Sequence, residues 1–183
     1  MTVQAAFGLA AQALLVAWIF WTLAARAPSH FHRIIAAGAA VAAFIPIADG
    51  VSAAMASRAL WGDPSVTTLQ LLVLALAGRP ANVGRGPAAA LALFGLVFYP
   101  LALGLGDFDP YRLGYAAWPV AAALGAAALL AWRRGQPLWL WLLAVDLAAF
   151  AAGLPESDNL WDALFDPLLV AAALIAAVRG PRR

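Results

Sequence analysis

The chain has 183 residues, of which 65% are hydrophobic and 11% are charged, and its formal net charge is +2. Soluble domains contain about 45–50% apolar and about 25% charged residues, so this composition excludes a water-facing globular domain and indicates an integral membrane protein. Because the chain has no cysteine, disulfides and thiolate metal sites are excluded. The arginines are spread over several short connections, which argues against nucleic-acid binding.

Seven apolar stretches follow one another along the chain, separated by short segments rich in proline, glycine, arginine and aspartate. They cover residues 5–25, 34–57, 64–78, 87–105, 113–132, 138–154 and 160–178. Each is longer than the strands of about 9–11 residues that form membrane barrels, so we expect helices. The predicted fold is an all-α polytopic helical membrane bundle with seven transmembrane helices, in a single integral membrane domain over residues 1–183.

The third stretch leaves an alternative topology open. Its 15 residues (64–78) would form a helix of about 22 Å, whereas the hydrocarbon core of a bilayer is about 30 Å thick. If this segment is re-entrant, the bundle has six transmembrane helices plus a short third segment that enters and leaves on one side. We expect the segment to cross.

The distribution of arginine sets the expected orientation. Cytoplasmic loops are enriched in basic residues, so the arginine-rich connections after the first, third, fifth and seventh stretches are predicted to be cytoplasmic. They carry Arg26, Arg33, Arg79, Arg85, Arg133, Arg134, Arg179, Arg182 and Arg183. This orientation places the C-terminus inside and the N-terminus outside. The exclusive use of arginine over lysine is typical of a GC-rich bacterial genome, so the expected location is a bacterial inner membrane.

Three acidic residues fall inside apolar stretches, where an ionisable group is costly and normally faces the interior of a bundle. Asp49 lies eight residues before Ser57, Asp146 eight before Leu154, and Asp166 eight after Asp158. Each distance corresponds to a depth of about 12 Å below the predicted external side. Polar neighbours on the same predicted helical faces complete a candidate ion- or substrate-binding set. The set is Asp49, Ser52, Asp146, Asn159, Asp162 and Asp166.

Further acids in the predicted external connections would form a vestibule that attracts cations. They are Asp107, Asp109, Glu156 and Asp158. Acids beside proline-interrupted helices are typical of the ion and substrate sites of transporters. The sequence therefore favours a small transporter or permease-like protein for a cation, a proton or a cationic substrate, with the lipid bilayer as partner and without a cofactor.

A second hypothesis assigns no transport to the chain. It would be a non-catalytic accessory subunit of a membrane complex, whose polar residues serve packing, a membrane-protein partner or a homodimer. A buried acid would then pair with one of the two external arginines, Arg58 or Arg112, as a structural lock, and residues 157–159 would cap the helix that follows them.

A short motif gives a third hypothesis. Residues 103–108 read Leu-Gly-Leu-Gly-Asp-Phe, and this sequence resembles the GxGD motif of presenilin-type intramembrane aspartyl proteases. The resemblance implies an intramembrane di-aspartyl hydrolase with Asp107 as one catalytic acid and Asp49 as the candidate for the second. The chain departs from the family pattern, because Ala48 replaces the tyrosine before the second acid and the motif ends a predicted helix rather than opening one. No catalytic residue is assigned on this basis.

Overall fold

Helices account for most of the protein in the computed structural model, which describes residues 2–26, 28–79, 81 and 83–179. The sheet content of these residues is one hairpin of two short strands. The predicted all-α fold is therefore confirmed. Two arginines of the predicted cytoplasmic set, Arg182 and Arg183, lie outside the described residues.

Contacts between Cα atoms divide the chain into two compact units. Unit 1 comprises Met1–Pro64 and Leu69–Pro80, and unit 2 comprises Ser65–Thr68 and Ala81–Arg183. The single membrane domain expected over residues 1–183 stays a prediction.

Unit 1 is built around its first helix. Its elements in chain order are α1 (Val3–Leu23), a 3-10 turn (Ala24–Arg26), α2 (Ser29–Ala42), β1 (Pro46–Ala48), β2 (Val51–Ser52), α3 (Ala53–Trp61) and most of α4 (Val66–Leu76). Helix α1 packs against α2 and α3, and its Ala11 forms a small apolar core with Leu69 and Leu72 of α4. The rings of Trp21 and His32 meet edge-on with centroids 5.5 Å apart, so the connected ends of α1 and α2 lie side by side.

The single helix predicted over residues 34–57 is wrong, because a hairpin separates α2 from α3. Asp49 (φ 49°) and Gly50 (φ 78°) both adopt the left-handed conformation that a two-residue type I′ turn requires, and Asp-Gly is a favoured pair there. Asp49 is consequently exposed at the tip of the hairpin and is not buried on a helix. Ser52 does not share a helical face with it but caps α3, where its Oγ accepts the N–H of Met55 at 3.2 Å.

A polar cluster joins α1 to the end of α3 within unit 1. The fully buried Gln12 accepts a hydrogen bond from Ser57 Oγ at its Oε1 and donates one from its Nε2 to the carbonyl of Gly62, both at 2.7 Å. Beside it, Arg58 forms a bidentate ion pair with Asp63, in which Nε donates to Oδ1 at 2.7 Å and Nη2 donates to Oδ2 at 2.9 Å. Arg58 therefore pairs with Asp63, which follows the end of α3.

Replacing Gln12 with leucine is expected to destabilise unit 1 by about 1–3 kcal/mol, because Ser57 and the carbonyl of Gly62 each lose their hydrogen bond to a fully buried side chain. Gln4→Leu is the matched control, since Gln4 lies on the same helix and is exposed. Thermal denaturation in detergent checks this. Equal melting temperatures for the two variants would contradict the assigned role of Gln12.

Unit 2 contains two helix pairs and a short helix near one end of them. After residues 65–68, its elements are α5 (Arg85–Ala102), a 3-10 helix (Tyr111–Tyr115), α6 (Ala117–Arg133), α7 (Pro137–Ala151), α8 (Leu160–Leu164) and α9 (Pro167–Arg179). Helix α5 packs against α9 and helix α6 against α7, while α8 contacts α7 and the 3-10 helix.

The stretch predicted as one last helix, residues 160–178, is broken between α8 and α9. Phe165 has an extended backbone (φ −156°, ψ 127°), and Pro167 has no N–H to continue the helical hydrogen bonds of α8. Asp166 lies in this break, so it does not share a helical face with Asn159 and Asp162. That part of the predicted site geometry is wrong.

The helices of unit 2 sort its charges to opposite ends. Helices α5 and α9 run antiparallel. Phe165, just before α9, stacks on Tyr99 near the end of α5 at 5.3 Å, whereas Val170, one turn into α9, lies against Gly95, one turn earlier in α5. One end of unit 2 contains the start of α5, the α6–α7 connection and the end of α9. We call it the basic end, because it carries Arg85, Arg133, Arg134 and Arg179. The opposite, acidic end includes the connections before the 3-10 helix and before α8; it carries Asp107, Asp109, Glu156, Asp158, Asp162 and Arg112.

Two helices, α1 with 21 residues and α5 with 18, are long and apolar enough to cross a membrane by length and composition. The other apolar helices among the described residues have 10–17 residues. Within the third predicted stretch, α4 has only 11 residues, or about 16 Å of helix.

Candidate functional site

The start of α4 is a buried run of hydroxyl-bearing residues that belongs to unit 2. Ser65, Thr67 and Thr68 are all buried. Ser65 caps the helix, since its Oγ accepts the N–H of Thr68 at 3.1 Å and also donates to the Thr68 hydroxyl. Pro64 separates α4 from the preceding helix, because proline has no N–H with which to continue helical hydrogen bonds. The segment therefore presents a backbone N–H and a threonine hydroxyl to the rest of unit 2.

Asp166 uses both carboxylate oxygens to hold backbone N–H groups. Its Oδ1 accepts the N–H of Leu169 at 2.7 Å, which caps α9, and its Oδ2 accepts the N–H of Ser65 at 2.6 Å. The side chain is 7% exposed. A carboxylate that receives two backbone hydrogen bonds near a helix N-terminus is well stabilised, so Asp166 acts as a clasp between the starts of α4 and α9.

Asp146 is the most deeply buried acid of unit 2 that the structure describes. It lies in the middle of α7, which is otherwise apolar, and it is 2% exposed. Its Oδ2 accepts a hydrogen bond from Thr67 Oγ1 at 2.7 Å. The burial expected for this residue from its apolar surroundings is thus found.

Two of the three predicted acids therefore meet the same short segment. Asp166 contacts Ser65 and Asp146 contacts Thr67, only two positions along the chain. Asp49 is not part of this arrangement, because it lies on the exposed hairpin of unit 1. Carboxylate and hydroxyl oxygens are suited to a proton or a hard cation. No group of three or more histidine, cysteine or acidic side chains positioned for a metal ion occurs in the described part of the chain.

Ser65, Thr67 and Thr68 were not among the residues predicted for the site. Their signal was the run Pro-Ser-Val-Thr-Thr at positions 64–68, directly before an apolar stretch. Hydroxyl side chains after a proline are typical of a helix start, but only the tertiary contacts assign them to Asp146 and Asp166.

Asn159 and Asp162, two residues of the predicted ion- or substrate-binding set, join α8 to the 3-10 helix. Asn159 is fully buried; its Oδ1 accepts the N–H of Trp161 and its Nδ2 donates to the carbonyl of Tyr111, both at 2.9 Å. Asp162 accepts the hydroxyl of Tyr111 at 2.7 Å. The pKa of Tyr111 is raised above its ordinary value, chiefly by burial and secondly by this hydrogen bond. The phenol therefore stays protonated and remains the donor.

The acids predicted to form a vestibule are on the surface of the acidic end. Asp107, Glu156 and Asp158 are exposed, whereas Asp109 is partly buried and accepts the N–H of Tyr111 at 2.9 Å. Asp107 lies on the irregular turn after α5, and Asp49 lies on a hairpin turn. The two acids of the GxGD resemblance thus lie on turns and not inside helices.

An aromatic cluster lies beside α8. The ring of Trp161 packs on Phe94 and Phe98 of α5 at 5.7 and 5.2 Å, and its Nε1 donates to the carbonyl of Pro110 at 3.1 Å. Together with Asn159, this residue fixes α8 between α5 and the 3-10 helix. The acidic end is therefore held by specific contacts close to the Asp166 clasp.

Compared with known proteins, the chain matches no family model, no curated protein and no solved structure.

Proposed function

We propose that this chain is a multi-pass inner-membrane protein of a bacterium, a small transporter or permease-like protein that binds a proton or a small cation at Asp146. The binding group is the Asp146 carboxyl with the Thr67 hydroxyl, and Asp166 positions the segment that carries Thr67. The single observation that carries the proposal is a 2%-exposed aspartate in the middle of an apolar helix, because an ionisable group in such a position is costly and usually functional.

The surface of unit 2 supports the membrane location. Between its two charged ends, large apolar side chains are exposed, among them Leu93, Leu96, Leu130, Trp141 and Ile175. Soluble proteins rarely expose extensive apolar surface unless it is covered by a partner or a membrane. Helices α5 and α6, with 18 and 17 residues, measure about 25–27 Å, which is close to the hydrocarbon thickness of a bilayer.

We place the basic end of unit 2 in the cytoplasm, because basic residues favour that side. The proposed crossings are α1, α2 with its hairpin, α4, α5, α6, α7 and the broken α8–α9 pair. In the alternative with six crossings, the short α4 is re-entrant and its buried hydroxyl run lies inside the protein. Irregular backbone at membrane depth is tolerated only where protein or a water-filled cavity covers it.

The acidic end would face outward and raise the local concentration of cations near Asp146. Counted along α7, Asp146 is five residues from Ala151 at that end, or about 8 Å. Negatively charged residues at the surface, followed by one buried carboxyl group, are the arrangement expected of a path for cations or protons.

A flux measurement tests the proposal. The full chain would be reconstituted into liposomes containing a pH-sensitive dye, with imposed proton, sodium and potassium gradients. Asp146→Asn keeps an oxygen that accepts from Thr67 but cannot bind or release a proton, so we expect at least a tenfold loss of flux. Asp49→Asn changes an exposed acid on the hairpin of unit 1; it is the matched control and should keep most of the flux. Equal flux for the two variants would refute the role of Asp146.

The accessory-subunit hypothesis is the second candidate, and one observation favours it. Asp166, Asn159 and Asp162 all use oxygens to hold helix starts or a tyrosine, which is what a structural role requires. If unmodified protein shows no flux under any gradient and Asp146→Asn only lowers the melting temperature, the accessory role is the better account.

A further inference from the structure

The basic end of unit 2 brings arginines from three separate parts of the chain to a similar level. From the Gly95–Val170 contact, Arg85 is ten residues back along α5 and Arg179 is nine residues forward along α9, so both lie about 14–15 Å away in the same direction. Arg133 and Arg134 end α6 and begin its connection to α7. The fold therefore gathers Arg85, Arg133, Arg134 and Arg179 at one end.

Within the described part of unit 2, no acidic residue neutralises these arginines. All four are exposed, and none forms an ion pair with a described residue. The described segments that build this end, 83–93, 129–141 and 173–179, contain no aspartate or glutamate. The positive charge of the basic end is thus available to an external anion.

The same end also exposes apolar side chains directly beside the charges. Leu130 (55% exposed) and Trp132 (51%) precede Arg133, and Val178 (72%) precedes Arg179. Tryptophan is enriched at the level of lipid headgroups. A ligand that fits this surface must carry both a negative charge and an apolar chain, which distinguishes it from a free inorganic anion or a nucleotide.

We propose that the basic end of unit 2 binds the headgroups of anionic phospholipids, with the guanidinium groups on the phosphate and the exposed leucine, tryptophan and valine side chains against the acyl chains. This inference rests on the proposed membrane location, and it names anionic phospholipids as the lipids that the cytoplasmic face of the protein binds. Arginine suits this role because its planar guanidinium binds phosphate oxygens in pairs.

The test uses the full-length chain in a neutral detergent, titrated with dioleoylphosphatidylglycerol and, separately, with dioleoylphosphatidylcholine. Binding is read by native mass spectrometry and by the rise in melting temperature. We expect selective binding of phosphatidylglycerol. The double variant Arg133→Gln with Arg134→Gln should weaken it roughly 30-fold, because each arginine near an anionic lipid contributes about fivefold. Arg85→Gln with Arg179→Gln is a second, independent variant with the same expectation.

Arg112→Gln is the matched control, because Arg112 is also exposed but lies at the acidic end; it should bind phosphatidylglycerol like the unmodified chain. Equal binding of the two lipids, equal binding by all variants, or equal stabilisation by inorganic phosphate alone would overturn the inference. Alkaline carbonate extraction of cell membranes separates this failure from that of the proposed function. A chain that stays in the membrane but binds lipid without these arginines refutes only the lipid site, whereas a chain that is extracted refutes the membrane location itself.

Discussion

Replacing Asp166 with alanine is expected to lower the free energy of unfolding by about 2–5 kcal/mol. The substitution removes the acceptor for the N–H groups of Leu169 and Ser65, and each buried donor left without a partner costs about 1–3 kcal/mol. The α9 helix also loses its cap. Thermal or denaturant unfolding in detergent, followed by circular dichroism, measures the effect.

Two companion variants sharpen this test. Asp166→Asn keeps one acceptor oxygen but turns an amide N–H₂ towards the other donor, so its stability should fall between those of the unmodified chain and the alanine variant. Asp158→Ala removes an exposed acid and should change stability by less than about 0.5 kcal/mol. If Asp166→Ala were as stable as Asp158→Ala, the clasp between α4 and α9 would not exist as described.

Replacing Gly114 with alanine is the second substitution with a large expected effect, about 2–4 kcal/mol of lost stability. A Cβ at this position would overlap Oδ1 of Asn159 and lie 2.7 Å from Cδ1 of Trp161. Asn159 is fully buried and holds two hydrogen bonds at 2.9 Å, so it cannot move without losing them. The expected consequence is separation of α8 from the 3-10 helix.

Gly125→Ala provides the matched control for this prediction. A Cβ added at Gly125, in the middle of α6, meets no atom within 4 Å, and alanine has a higher helix propensity than glycine. The control should therefore be unchanged or slightly more stable. The intrinsic fluorescence of Trp161 and its neighbours reports whether α8 has moved. A Gly114→Ala variant with unchanged stability would contradict the contact between Gly114 and Asn159.

The length of the apolar stretches in the sequence was sufficient to predict most helices of unit 2. The stretches 113–132 and 138–154 correspond to α6 and α7 within a few residues, because uninterrupted apolar residues leave a helix as the only element of that length. It also predicted the burial of Asp146. Residues 34–57 do not form the single helix that their apolar run predicts, because Asp49 and Gly50 make a turn. Two consecutive left-handed residues cannot belong to a right-handed helix.

The candidate site could be predicted only in part. Equal depths along straight helices suggested that three acids would meet, but Asp49 lies on a hairpin and Asp166 lies in a helix break. Asp146 and Asp166 come to one segment through Thr67 and Ser65, about 80 and 100 residues away in sequence. Such long-range contacts depend on how helices pack, which local periodicity does not encode.

Labelling of single cysteines tests most directly which end of unit 2 faces the outside of the membrane. The chain has no cysteine of its own, so Asp158→Cys at the acidic end and Gln136→Cys in the α6–α7 connection, both exposed positions, each supply one thiol. In intact spheroplasts, a membrane-impermeant maleimide should label Asp158→Cys and should label Gln136→Cys only after the membrane is permeabilised. Labelling of Gln136→Cys in intact spheroplasts as fast as after permeabilisation would contradict the proposed topology and, with it, an outward-facing path to Asp146.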